Sequence, residues 1–176
     1  MVASIVLAIL AVLLPLVVLF FERTTVTRIQ ERHHSHHDTY TVPPAYVHGL
    51  VSAALIVGVL GLMVAWLCLA RVMRGNAVTI LAFTDSFVAF LLVAWAAARD
   101  YKISLFQSRM VATLPFGRSV AVDYASIDRM VWHGFRRSTG YRNLTVWADG
   151  RRVCTLWSTL DLERILMHID RFDALV

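Results

Sequence analysis

The stretch AVTILAFTDSFVAFLLVAWAAARDYKISLF, residues 77–106, contains two kinds of sequence and the boundary between them. Residues 77–98 carry one charged side chain, Asp85. Their length is close to the ~20 residues that cross ~30 Å of hydrocarbon at ~1.5 Å per residue. From Tyr101 the period changes to two: Tyr101, Ile103 and Leu105 alternate with Lys102, Ser104 and Phe106, as in a strand. A spanning helix therefore gives way to a sheet within a few residues.

Upstream, residues 1–21 and 48–70 carry no charged side chain. Three transmembrane helices are predicted, at 1–21, 48–70 and 77–98, followed by a soluble domain at 99–176. The chain is 58% hydrophobic and 16% charged, against about 45–50% and about 25% in soluble domains. That excludes an ordinary cytosolic globule, a disordered tail and a disulfide scaffold; of the two cysteines, Cys68 lies in an apolar run. The excess of apolar residues sits in the three segments, and the tail has ordinary soluble composition. The first segment has no basic n-region and no small-residue cleavage site before Phe20-Phe21-Glu22. It reads as a retained helix rather than a signal peptide, with Pro15 as a candidate kink.

Three spans place the 22–47 loop and the tail on one side. Arg23, Arg28, Arg32, Arg99, Lys102 and Arg109 lie on that side, against Arg71 and Arg74 on the other. The excess favours an external N-terminus, with loop and tail cytoplasmic. In the second span Ala54, Gly58, Gly61 and Ala65 share one face, where small residues let another helix approach closely. That face suits packing within the three-helix set or homodimerisation. Asp85 is the intramembrane polar anomaly, since a central Asp costs ~2.5–3.5 kcal/mol on insertion scales. Three readings are open: Thr84-Asp85-Ser86 caps a shorter helix, Asp85 accepts hydrogen bonds from neighbours such as Trp66, or it serves a proton or ion pathway.

In the tail, further strands are predicted at Met110–Leu114, Ser119–Val122, Ile127–His133, Leu144–Ala148 and Arg152–Trp157. Pro115-Phe-Gly117 is a turn, and Arg136–Arg142 a polar loop. Asp149-Gly150 suits a two-residue type I′ turn, whose register sets Val146 opposite Val153 and Trp147 opposite Arg152. Trp147 and Arg152 then read as a stacking pair. Ser158-Thr-Leu-Asp161 fits a helix start, and Leu162, Ile165, Leu166, Ile169 and Phe172 form one apolar stripe. In the loop, Thr24–Gln30 and Asp38–Val42 both alternate. They predict a hairpin with the His-rich stretch at its tip, placed to extend the tail sheet.

The order of short strands followed by one amphipathic helix, with Tyr101-Lys-Ile-Ser, Asp123-Tyr-Ala-Ser-Ile-Asp-Arg-Met-Val-Trp132 and the final hairpin, resembles the bacterial pleckstrin-homology-like domain over residues 99–176. The resemblance implies a strongly bent antiparallel sheet closed at one end by the terminal helix. The fold class expected is thus a membrane α-helical part plus an α+β soluble domain. It also implies a multi-pass protein of the bacterial inner membrane. No catalytic signature belongs to that family, so no site residue carries over from it.

Two clusters hold candidate chemistry. His33, His34, His36 and His37 suit zinc, copper or nickel, a pH response through imidazoles of pKa ~6.5, or simply a solvated loop tip. Arg136, Arg137, Arg142, Arg151 and Arg152 make a candidate contact for an anionic surface, where each basic residue near an anionic leaflet contributes ~1 kcal/mol. Neither a basic helix nor a readout motif is present, which argues against nucleic acid. G-x-S-x-G, P-loop, H-E-x-x-H and C-x-x-C are all missing from the sequence; no enzyme activity and no cofactor are expected. The reading is a membrane-anchored binding or scaffold module for a protein partner or anionic lipid. The alternatives are a metal- or pH-responsive sensor through His33–His37 and an ion-coupled transport accessory using Asp85.

Overall fold

A computed structural model of the protein describes residues 2–29, 38–134 and 142–175. The chain forms two compact units. The first contains α1 (Val2–Ile29), α2 (Pro44–Leu69) and, as far as Ala96, α3 (Ala77–Asp100). All three are long and apolar enough to cross a membrane. At ~1.5 Å per residue, the 26 residues of α2 and 24 of α3 exceed the ~30 Å of hydrocarbon.

The packing of this unit is the reverse of a water-soluble bundle. Large side chains such as Leu60, Met63, Trp66, Phe83 and Phe90 point outward. The buried positions of α2 are mostly small: Ala54, Gly58, Gly61, Ala65 and Cys68. A Cβ at Gly58 would collide with the carbonyl of Ala11 on α1, and one at Gly61 with the Thr84 side chain on α3. The small-residue face is therefore filled by the chain's own helices. Dimerisation through that face would require one of them to leave.

Two expectations fail in this unit. Residues 24–29, expected as a strand, continue α1. Adding one residue to an existing helix gains a hydrogen bond for each residue fixed, which an unpartnered strand does not. Gln30 and the whole His-rich tip of the expected hairpin lie outside the described residues. Asp85 does not cap a helix, because α3 already starts at Ala77, where the Asn76 Oδ1 accepts from Val78 N at 2.9 Å.

Among the described residues, the second unit contains seven strands in two antiparallel sheets: β1 (Asp38–Thr41), β2 (Lys102–Leu105), β3 (Arg109–Thr113) and β4 (Ser119–Asp123) in one, and β5 (Ile127–His133), β6 (Asn143–Ala148) and β7 (Arg151–Leu156) in the other. β1 pairs antiparallel with β2, Tyr40 opposite Ile103. The 38–42 segment thus does extend the tail sheet, as a single edge strand. Ile103, Leu105, Met110, Ala112 and Val122 of the first sheet are buried, as are Met130, Leu144, Val146, Cys154 and Leu156 of the second.

Helix α4 (Leu162–Ile169) buries Leu162, Ile165, Leu166 and Ile169. It starts later than the sequence suggests. Asp161, not Ser158, is the N-cap, and its side chain accepts from Arg164 N at 3.3 Å. Asp170 ends the helix in the left-handed region at φ 50°. Phe172 therefore leaves the stripe and is exposed. Arg171 pins this end, donating from Nη1 to Tyr124 O (2.9 Å) and from Nη2 to Ile127 O (3.1 Å) while its Nε pairs with Asp173 (3.0 Å).

Tyr101 ties the two sheets together. It is fully buried, stacks on Trp157 at 4.6 Å, donates its hydroxyl hydrogen to Thr155 O (3.2 Å) and accepts from Trp157 N (3.0 Å). Burial pushes its pKa up to about 12. Tyr101→Phe keeps the ring and loses both hydrogen bonds. We expect a loss of about 1–3 kcal/mol, read as a lower unfolding temperature of the full chain in detergent.

The hydrogen bond and charge of Arg171 hold the Asp173 carboxyl below its usual 3.8. The contribution of that pair is complete above the ordinary carboxylate range and is lost as pH falls through the lowered value. Unfolding measured from pH ~7 to ~3 should show a shallower acid loss in Asp173→Asn than in the natural chain.

Candidate functional site

The hairpin of β6 and β7 does not keep simple alternation. Trp147 faces Arg152, but Val146 faces Cys154, so Val153 is skipped and the expected Val146–Val153 pair is absent. β5 has a matching irregularity: Ile127 faces Ala148 and Arg129 faces Trp147, skipping Asp128. An extra residue on one strand reverses the face of everything beyond it. These two shifts let Met130, Val146 and Cys154 point inward together. They also set Arg129 and Arg152 on either side of Trp147, in one row across three strands.

Contacts fix this row. The Arg129 guanidinium carbon stands 4.8 Å from the centre of the Trp147 ring, within cation–π range. The stacking partner of Trp147 is thus Arg129 rather than Arg152, which instead donates from Nη2 to Thr155 Oγ1 at 2.8 Å. Thr155 Oγ1 in turn lies 3.2 Å from the buried Thr145 hydroxyl. Both arginines are exposed, and Trp147 is half-buried. The Trp147 Nε1 is buried and has no hydrogen-bond partner among the described residues. Asp128, the skipped residue, accepts from Gly150 N at 2.6 Å and so steadies the turn. Planar guanidinium groups against an aromatic face suit carboxylate or phosphate recognition.

Of the five arginines singled out from the sequence, the three that are described do not form one patch. Arg136 and Arg137 lie outside the described residues. Arg142 precedes β6, whereas Arg151 and Arg152 follow the turn at its other end. A six-residue strand separates them by about 17 Å. Sequence reasoning missed Arg129, because alternation alone cannot reveal a skipped residue.

His33, His34, His36 and His37 also lie outside the described residues. Among the described residues, no group of three or more His, Cys, Asp or Glu side chains could hold a metal ion. His168 sits 3.9 Å from Asp38 and edge-on to Tyr124, which fits a structural role. Cys154 is buried, and burial pushes its pKa up to about 11, so little thiolate is present near neutral pH.

Asp85 lies mid-helix, and neither carboxylate oxygen has a hydrogen-bond partner among the described residues. Its neighbours' hydroxyls are committed elsewhere: Thr84 donates to Ile80 O and Ser86 to Ala82 O. Trp66, the expected donor, points outward and is 65% exposed. Asp85→Leu should therefore stabilise the helical unit by about 2 kcal/mol, measured as resistance to unfolding in mixed detergent. A destabilised variant would point to an unseen partner for the carboxylate.

In comparisons with known proteins, the chain matches no family model, no curated protein and no solved structure.

Proposed function

We propose that this chain is a non-enzymatic, membrane-anchored binding module. Three spanning helices hold a pleckstrin-homology-like domain at the cytoplasmic face of a bacterial inner membrane, with the N-terminus outside. The domain assignment is supported by two antiparallel sheets followed by a helix with one apolar face. The orientation rests on the basic residues that flank the spans on the loop and tail side.

The observation that carries the binding role is the Arg129–Trp147–Arg152 row. It lies towards the Asp149-Gly150 turn of the second sheet, whereas Tyr101, which follows α3 directly, docks at Trp157, past the other end of β7. An acidic segment of a protein partner is therefore favoured over an anionic lipid as the ligand of the row.

The full chain in phosphatidylcholine nanodiscs should bind a Glu-rich peptide, with an affinity that falls as salt rises. Arg129→Gln combined with Arg152→Gln should weaken binding about tenfold or more, since a hydrogen bond to a charged group contributes about 1.5–3 kcal/mol. Tryptophan emission that responds to phosphatidylglycerol instead of peptide would make the lipid the ligand. A response to neither would remove the proposal.

A further inference from the structure

The first sheet has one end from which the chain runs into the spanning helices twice. β1 ends at Thr41, and only Val42 and Pro43 precede α2; α3 ends at Asp100, and only Tyr101 precedes β2. Thr41 and Lys102 are register partners. Across the sheet, Lys102 pairs with Thr113, and Thr113 with Ser119. The β3–β4 loop, residues 114–118, thus closes the same end of the sheet. With strands ~4.8 Å apart, it lies roughly 5–10 Å to the side of Lys102.

This loop has an unusual build. Phe116 is 68% exposed and holds φ at 65°, a left-handed conformation rare for a bulky residue. Leu114 N donates to Arg118 O at 2.6 Å, which fixes the loop around the aromatic ring. The left-handed backbone presents an apolar side chain to the outside. Basic residues lie at the same end of the unit. Lys102 and Arg118 are exposed at this end, Arg99 lies in the last turn of α3, and Arg142 adjoins Asn143, whose side chain accepts from Ser158 N beside Trp157. The acids here are Asp100, Asp161, already paired with Arg164 at 3.1 Å, and Glu163. The opposite end of the unit carries charges of both signs, Asp38, Asp123, Asp128 and Asp149 together with Arg109, Arg129, Arg151 and Arg152.

We infer that the 114–118 loop is a membrane-contact element: Phe116 enters the interfacial layer of the bilayer, and Lys102 and Arg118 meet anionic headgroups. An aromatic ring is stable at the level of the headgroups, and each basic residue near an anionic leaflet adds attraction. The inference rests on the membrane-anchored reading but is independent of the Arg129–Trp147–Arg152 row.

The test uses the full chain, with Cys68→Ala and Cys154→Ala, in nanodiscs of phosphatidylcholine and phosphatidylglycerol. An environment-sensitive fluorophore is attached at Leu60→Cys, Phe116→Cys or Arg151→Cys, with Arg118→Cys as a second loop position should the first variant fold poorly. Quenching by lipids carrying a nitroxide near the headgroup is compared with quenching by aqueous iodide. Lipid quenching at 116 or 118 should exceed that at 151 several-fold, and position 60 should be shielded from iodide. Iodide-accessible probes at both 116 and 151, with 60 shielded, overturn the loop contact and leave the anchor intact. Shielding at 116 without lipid quenching means that protein covers the loop, and equal lipid quenching at 116 and 151 means that contact is not confined to this end; either overturns the inference. Iodide access at 60 overturns the anchored reading itself, and the inference with it.

Discussion

Tyr101 is the residue on which the second unit depends. It follows the last residue of a helix long and apolar enough to span a membrane. It is fully buried, stacks on Trp157, and bonds through one hydroxyl to both Thr155 O and Trp157 N. The start of the first sheet is thereby fastened to the end of the last strand of the second, across more than fifty positions of chain. A buried phenol without such partners would be costly. With both bonds made, it sets how the two sheets meet, and the apolar face of α4 is buried in the same unit.

The two units solve opposite problems. The helical unit carries large apolar side chains outward and brings small ones together, so that Gly58 and Gly61 permit contacts no larger residue would allow. In lipid there is no hydrophobic gain from burying a Leu against another helix, so close backbone approach is what holds helices together. The sheet unit does the reverse, burying its Ile, Leu and Met and turning its charges outward. Cys68 and Cys154 are free and buried in their respective units, and neither serves as a cross-link.

Much of this was legible before any coordinates. Three apolar runs, two without charge and one with only Asp85, gave the three long helices, since length and apolarity are properties of a segment alone. Period-two alternation located the strands from β2 onward, and Asp149-Gly150 gave the hairpin turn and the Trp147–Arg152 pair. The apolar stripe of α4 was readable except at its ends. Asp161 outcompetes Ser158 as the cap, and the left-handed Asp170 removes Phe172. The 24–29 segment was misread because β-branched alternation is a weak preference, and a neighbouring helix can overrule it.

The candidate site was the least legible part. Arg129 and Trp147 lie in different strands, and what brings Arg129, Trp147 and Arg152 into one row is a pair of skipped residues, Asp128 and Val153. A shift of one residue leaves composition and spacing unchanged, yet exchanges inward and outward faces. By itself, then, the sequence determined where the chain is apolar enough to span and where it turns to strand, because these depend on local pattern. Only the tertiary structure decided that Arg142 lies far from Arg151, that Asp85 lacks a hydrogen-bond partner among the described residues, and that Phe116 shares an end of the sheet with Thr41 and Lys102. Each of these is a matter of register or packing between segments distant in the chain, for which local pattern carries no record.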